Sequence, residues 1–119
     1  MFSKRAVVIS TAAGTGAKSA VKDVATALFY WGVPYIKEYG IAVQAMNWAQ
    51  VTDKKKEKIN ADMVSLAKKI SKQTPHVGIK TKFMFHIMRM MQQNNMGSGE
   101  TEKTYWQEQG WLDKARPWS

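Results

Sequence analysis

Along the chain, short unbroken apolar runs give way to segments whose apolar residues recur at helical spacing, and this change of period predicts the element order. Arg5-Ala-Val-Val-Ile-Ser10 is apolar and β-branched, with charge before it and Thr-Ala-Ala-Gly-Thr-Gly after it. A run without alternation fits a strand over residues 5–10 buried on both faces, as in a parallel sheet. From Ser19 the pattern moves to three- and four-residue steps through Val21, Val24, Ala25, Leu28 and Phe29 or Trp31. This predicts a helix that Gly32 stops and Pro34 keeps from resuming. A second strand is predicted over residues 36–45, where Tyr39, Ile41 and Val43 alternate with Gly40, Ala42 and Gln44. Two strands joined by a helix make a right-handed βαβ unit.

Beyond Trp48, Thr52 is placed to cap a helix with Asp53 in its first turn and a buried stripe of Ile59, Met63, Leu66 and Ile70. Lys68, Lys69 and Lys72 suit its C-terminal end. Gln73-Thr-Pro-His76 breaks the pattern, and a further helix is predicted over residues 79–92, carrying Phe83, Met84, Ile87, Met88 and Met91. Residues 94–102, with Gly97, Ser98 and Gly99, read as a flexible connection. The tail, Tyr105-Trp106 and then Gly110-Trp-Leu112, returns to aromatic residues and is expected to pack back onto the body. The reading is therefore an α/β fold ordered strand, helix, strand, helix, helix, with more helix than strand. It divides into residues 1–75, the βαβα part, and residues 76–119, a helix plus an aromatic extension.

With 119 residues, one small domain is the ceiling. The absence of cysteine removes disulfides, iron–sulfur clusters, thiolate zinc sites and cysteine nucleophiles from this chain, and His76 and His86 alone are a poor basis for a metal centre. Redox chemistry would have to come from a bound cofactor. No signal-peptide core and no span of ~20 apolar residues is visible, so a cytoplasmic protein without a transmembrane segment is expected. The formal charge of +9 is concentrated in residues 54–89, where ten basic residues stand against Glu57 and Asp62. Such helix faces are usually solvated, and otherwise dock on anionic membranes or acidic partners. Nucleic acid is not expected as a partner, because no zinc-finger, RNP-like or helix-turn-helix spacing is present.

Candidate chemistry centres on the segment running on through Ala17 to Lys18, with Ser10, Thr11, Ala12, Ala13, Gly14, Thr15 and Gly16 as the candidate binding residues, at the carboxyl end of the first strand and the opening of the first helix. Open α/β sheets bind ligands at such strand ends. Small residues let a flat ligand approach the backbone, and N–H groups near a helix start favour electron-rich oxygens or anions. Two sharper phosphate motifs are missing. A Walker A loop needs Gly-Lys adjacent, whereas Ala17 separates Gly16 from Lys18, and the dinucleotide fingerprint needs Gly or Ala where Ser19 stands. A tight strand-to-helix turn with no ligand fits the same spacing.

The segment Lys4-Arg-Ala-Val-Val-Ile-Ser-Thr-Ala-Ala-Gly-Thr-Gly-Ala-Lys18, followed by Lys22-Asp23, Phe29-Tyr-Trp-Gly-Val33, Tyr39-Gly-Ile-Ala-Val43, Trp48 and the Lys-rich helix, resembles the second half of flavodoxin-like NAD(P)H-dependent oxidoreductases. The tail from Tyr105 to Leu112 resembles the C-terminal extension of one subgroup. The resemblance implies that Ser10, Thr11, Ala12, Ala13, Gly14, Thr15 and Gly16 line the isoalloxazine ring of FMN, their backbone N–H groups donating to it, with NAD(P)H as electron donor and no catalytic side chain required. Trp31 and Trp48 are candidates for stacking, though Trp31 is expected in the core at the end of an apolar helix face, and Trp48 against the next helix.

In that family the FMN phosphate is bound after the first strand, and the present sequence starts at what looks like the fourth. With strand order 2-1-3-4-5, the first strand here would show an unpaired apolar edge, which favours association with a second copy or with a separate N-terminal half. Three readings follow: the C-terminal portion of an FMN-dependent oxidoreductase; a truncated, non-catalytic relative acting as an oligomeric interaction module; and a basic protein binding membrane surfaces through the helix bearing Phe83, Met91, Lys80, Lys82 and Arg89.

Overall fold

Apolar β-branched residues at the start of the chain form a strand, and the first amphipathic segment forms the helix that returns the chain to lie beside it. The computed structural model describes residues 1–97 and 99–118. Strand β1 (Arg5–Ala12) is followed by helix α1 (Ala17–Tyr30) and strand β2 (Tyr35–Ala42). A 3-10 turn at Trp48–Gln50 leads into α2 (Asp53–Lys72), α3 (Ile79–Gln93) and α4 (Glu100–Glu108). The two strands are parallel and adjacent, in register from Arg5 opposite Tyr35 to Ala12 opposite Ala42. The architecture is thus mixed α/β, with two parallel strands and four helices among the described residues.

The pleat assigns the faces of the sheet. Val8 packs with Val21 and Ala25 of α1, and Leu28 and Ile36 join them, so α1 covers the face that carries Val8 and Ile36. Tyr39 lies on the opposite face and its hydroxyl donates to Asp62 Oδ2 of α2 at 2.7 Å. The expected stripe of α2, Ile59, Met63, Leu66 and Ile70, is half-buried, and no residue of this helix is fully buried. Thr52 caps it as expected, its hydroxyl accepting the Lys55 N–H. The other end has an unforeseen cap. The Arg5 guanidinium of β1 donates to the carbonyls of Ile70 at 2.7 Å and Gln73 at 2.8 Å, satisfying acceptors that a helix C-terminus leaves open.

A second core is aromatic. Phe85 of α3 stacks on Trp106 of α4 at 5.0 Å, and Trp111 and Trp118 meet Phe85 edge-on at 5.9 and 5.0 Å. The tail therefore packs back as its composition suggests. Phe2, unremarked in the sequence, joins this cluster and lies against Gly32, where a Cβ would fall 2.5 Å from its ring. α3 buries Phe85 with Thr81 and Gln92, while Phe83 is 63% exposed. The connection after α3 is shorter than the expected span of residues 94–102, because α4 begins at Glu100.

Beyond the fourth helix, α4, which the expected order lacks, further expectations change. β1 is not buried on both faces: Ile9 is 53% exposed, because α2 seats loosely and no third strand pairs with β1 among the described residues. Trp31 is 61% exposed rather than in the core, because α1 ends at Tyr30 and Trp31 falls on the C-cap, beyond the buried stripe. β2 ends at Ala42 instead of residue 45, since the Val43 N–H makes the last ladder bond, to Ala12, and Gln44 turns the chain with φ 56°. The molecule is long, 56 × 29 × 20 Å, with a radius of gyration of 18.8 Å. A compact domain of this length has a radius of about 13.5 Å. No helix among the described residues is long and apolar enough to cross a membrane.

The contact between Tyr39 and Asp62 sets a pH dependence. Burial first, then the hydrogen bond to Asp62 and its charge, push the Tyr39 phenol up to about 12, and hydrogen bonds from Lys58 and then Tyr39 hold the Asp62 carboxyl below its ordinary range. Tyr39→Phe is expected to cost about 1 kcal/mol near neutral pH by urea denaturation. The wild-type advantage is fully present below the unfolded phenol value near 10 and is lost as pH rises towards 12. It is lost at the acid end as well, when pH falls through the depressed value of folded Asp62. An advantage that stays constant as pH rises from about 9 to 12 would contradict this linkage.

Candidate functional site

At the carboxyl end of a parallel pair the chain must leave the first strand and enter the crossover helix at once, and small residues allow that turn. Ser10, Thr11 and Ala12 lie inside β1, whose ladder runs two residues further than expected. Ala13, Gly14, Thr15 and Gly16 make the connection. Gly16 is the N-cap of α1 with φ 97°, a left-handed conformation that glycine adopts without strain. Gly14 faces open space, since a Cβ there would meet nothing within 4 Å.

The connection and the end of β2 enclose a shallow recess of about 410 Å³ lined by Gly14, Thr15, Gly16, Lys18, Gly40 and Ala42, among others. Of the seven residues singled out from the sequence, Gly14, Thr15 and Gly16 line it. Ser10, Thr11, Ala12 and Ala13 do not. Ala17, Lys18, Ser19, Gly40 and Ala42 also line it and are not among the seven. Gly40 has the clearest structural reason: a Cβ there would stand 2.8 Å from both the carbonyl carbon and the oxygen of Ala17 and 2.9 Å from Lys18 Cα. The first turn of α1 therefore reaches the sheet only because residue 40 has no side chain. The sequence signal was the alternation Tyr39-Gly40-Ile41, in which glycine stands on the α1 face.

α1 has no side-chain cap and no acidic residue in its first turn. The first N–H groups of a helix lack intrahelical acceptors, and the first turn of α1, including Lys18, lines the recess. Ser19 folds back, its hydroxyl donating to the Gly16 carbonyl at 3.0 Å. The recess thus combines an uncapped helix start, one lysine and small residues, a lining that leaves room for a flat group and contains no acid–base side chain other than Lys18. Trp48 also follows β2 at this end of the sheet. It is 55% exposed, with Lys56 of α2 at 5.3 Å from its ring centroid. Among the described residues, no group of His, Asp or Glu side chains is arranged to hold a metal ion.

A larger recess of about 650 Å³ lies at the other end of β1, between the aromatic cluster and the end of α1, and is lined by Phe2, Trp31, Met84, Tyr105 and Trp111 among others. It is separate in residues from the strand-end recess. Neither protein-family models, curated proteins nor solved structures match this chain.

The three glycines separate by cause. Gly40→Ala is expected to lose about 2–3 kcal/mol, because the methyl group meets backbone that cannot give. Gly16→Ala loses about 1 kcal/mol from its positive φ alone, and Gly14→Ala stays within about 0.5 kcal/mol. Thermal or urea unfolding checks the order, and a Gly40→Ala variant as stable as Gly14→Ala would overturn the close approach.

Proposed function

We propose that this chain is the ring-binding, C-terminal portion of a flavodoxin-like, FMN-dependent NAD(P)H oxidoreductase. The observation that carries the reading is the recess at the carboxyl ends of β1 and β2, with its glycine connection, uncapped helix start and Gly40 floor. In this role the backbone N–H groups of Gly14, Gly16 and Ala17 donate to the oxygens and nitrogens of the isoalloxazine. Thr15 lines the approach with them, while Ser10, Thr11, Ala12 and Ala13, outside the recess, position the connection. The chain supplies binding and orientation, and hydride transfer from NAD(P)H belongs to the flavin. The helix on each side of the sheet and the parallel βαβ order are consistent with the last two strands of a doubly wound sheet. The phosphate site would be supplied from outside these residues, by an N-terminal half or a partner polypeptide, and the assembly is proposed to act in the cytoplasm.

A second reading, a non-catalytic interaction module, is favoured by surface. The chain exposes 8408 Å², against about 6500 Å² for a compact monomer of this mass. Much of this excess follows from the elongated shape, and β1 carries half-exposed Ile9 beside a free edge. A second copy pairing along that edge about a twofold axis covers both.

Two experiments address these readings. Flavin fluorescence quenching is expected to give riboflavin and FMN the same affinity within about threefold, since only the ring is bound, and Gly16→Val is expected to weaken both at least about tenfold. Clearly tighter binding of FMN, undiminished binding by Gly16→Val, or no binding of either flavin would remove the flavin assignment. For association, light scattering at micromolar concentration is expected to report a dimer or larger, and Ile9→Lys, which alters the exposed position and spares buried Val8, is expected to release folded monomer. A wild-type chain that is monomeric, or an Ile9→Lys chain that still assembles, rules out the edge as the interface.

A further inference from the structure

Helix α3 has two faces of different fate. Thr81, Phe85 and Gln92 are buried against the aromatic core, whereas Ile79, Phe83 and Met90 are 86%, 63% and 48% exposed. At 3.6 residues per turn, these three lie within about 40° of one another on the outward side, a stripe about 16 Å long. Exposed Lys80 flanks the stripe on one side, and exposed Lys82 and His86 on the other. Lys82 keeps its ammonium 5.9 Å from the centroid of the Trp118 ring. The fifteen residues of α3 include Lys80, Lys82 and Arg89 and no acidic side chain. Arg89 is held inward, its Nε donating to the Leu112 carbonyl at 3.2 Å.

We infer that this outward face of α3 docks on an anionic lipid surface. An apolar stripe between cationic flanks is the pattern of a helix lying in a bilayer interface: the stripe enters the headgroup boundary while lysines meet lipid phosphates, their stems reaching past the apolar row. Residues 54–89, which include most of α3, carry ten basic residues against two acidic, and this favours an anionic surface. Charge and width favour lipid over protein. The stripe is three residues long, bordered by lysines and without an acidic side chain on its helix, which a fluid anionic headgroup layer accommodates without side-chain complementarity. The inference is independent of the flavin reading, because α3 contributes no residue to the strand-end recess.

The full chain is tested by co-sedimentation with vesicles of phosphatidylcholine alone and with about 30 mol% phosphatidylglycerol. It is expected to pellet with the anionic vesicles and not the neutral ones, and to be released by about 0.5 M NaCl. Phe83→Glu, at an exposed position, is expected to keep its circular dichroism and lose at least about tenfold in partitioning. Because the chain has no cysteine, a polarity-sensitive dye can be placed at Met90→Cys alone. Its emission is expected to shift to the blue on anionic vesicles, whereas the same dye at Glu57→Cys on α2 does not shift. Equal pelleting with neutral vesicles, no pelleting, undiminished pelleting of Phe83→Glu, or an unshifted Met90→Cys label would each overturn the inference. Self-association that Phe83→Glu abolishes, without vesicle binding, would assign the face to a second copy instead.

Discussion

A parallel pair of strands cannot be closed by a short turn; it needs a crossover helix that packs on the sheet it creates. In this chain the crossover is α1, and its seat is set by the contact between its first turn and Gly40. Because residue 40 has no side chain, α1 begins directly over the end of β2, and Val21 and Ala25 reach Val8 below it. The same contact leaves the recess between the strand ends and the start of α1. Stability and candidate site therefore share one constraint: a larger residue at position 40 would lift the helix and alter the recess together.

The remainder of the fold is held to this unit by a few specific ties. α2 is joined to the other face by Tyr39 with Asp62 and by Arg5 on its last carbonyls, over a half-buried apolar stripe. α3, α4 and the tail form an aromatic core of their own, linked back through Phe2 and its contact with Gly32. Two small cores in a long molecule leave apolar surface at Ile9 and along α3, each beside a different kind of polar group. Ile9 adjoins the edge of β1 that no strand among the described residues covers, which invites another strand. The α3 stripe is flanked by ammonium groups, which invites anionic lipid.

What was legible in the sequence is what local chemistry decides. The β-branched run of β1, the stop at Gly32, the Thr52 cap and the α2 stripe each depend on residues within a turn or two of one another. Arg5 capping a helix that ends at Lys72, Phe2 filling the space over Gly32, and Gly40 admitting Ala17 depend on parts of the chain that meet only in three dimensions. Trp31 was misplaced for a related reason. Apolar spacing carried the stripe one residue past the point where α1 ends. At the candidate site, glycines and small residues marked the right end of the sheet, but the strand ladder, fixed by the Val43 bond to Ala12, decided which of them line the recess.

The proposed role of the carboxyl ends of β1 and β2 is to receive a flavin ring. An amide-resolved NMR titration with lumiflavin, which has a ring and no phosphate, addresses it most directly, because the strand-end recess and the aromatic recess are lined by different residues. The amide signals of Gly14, Gly16, Ala17, Lys18 and Gly40 are expected to move, while the indole N–H signals of Trp106 and Trp111 stay in place. Shifts confined to the indoles, or a spectrum unchanged by the flavin, would contradict it.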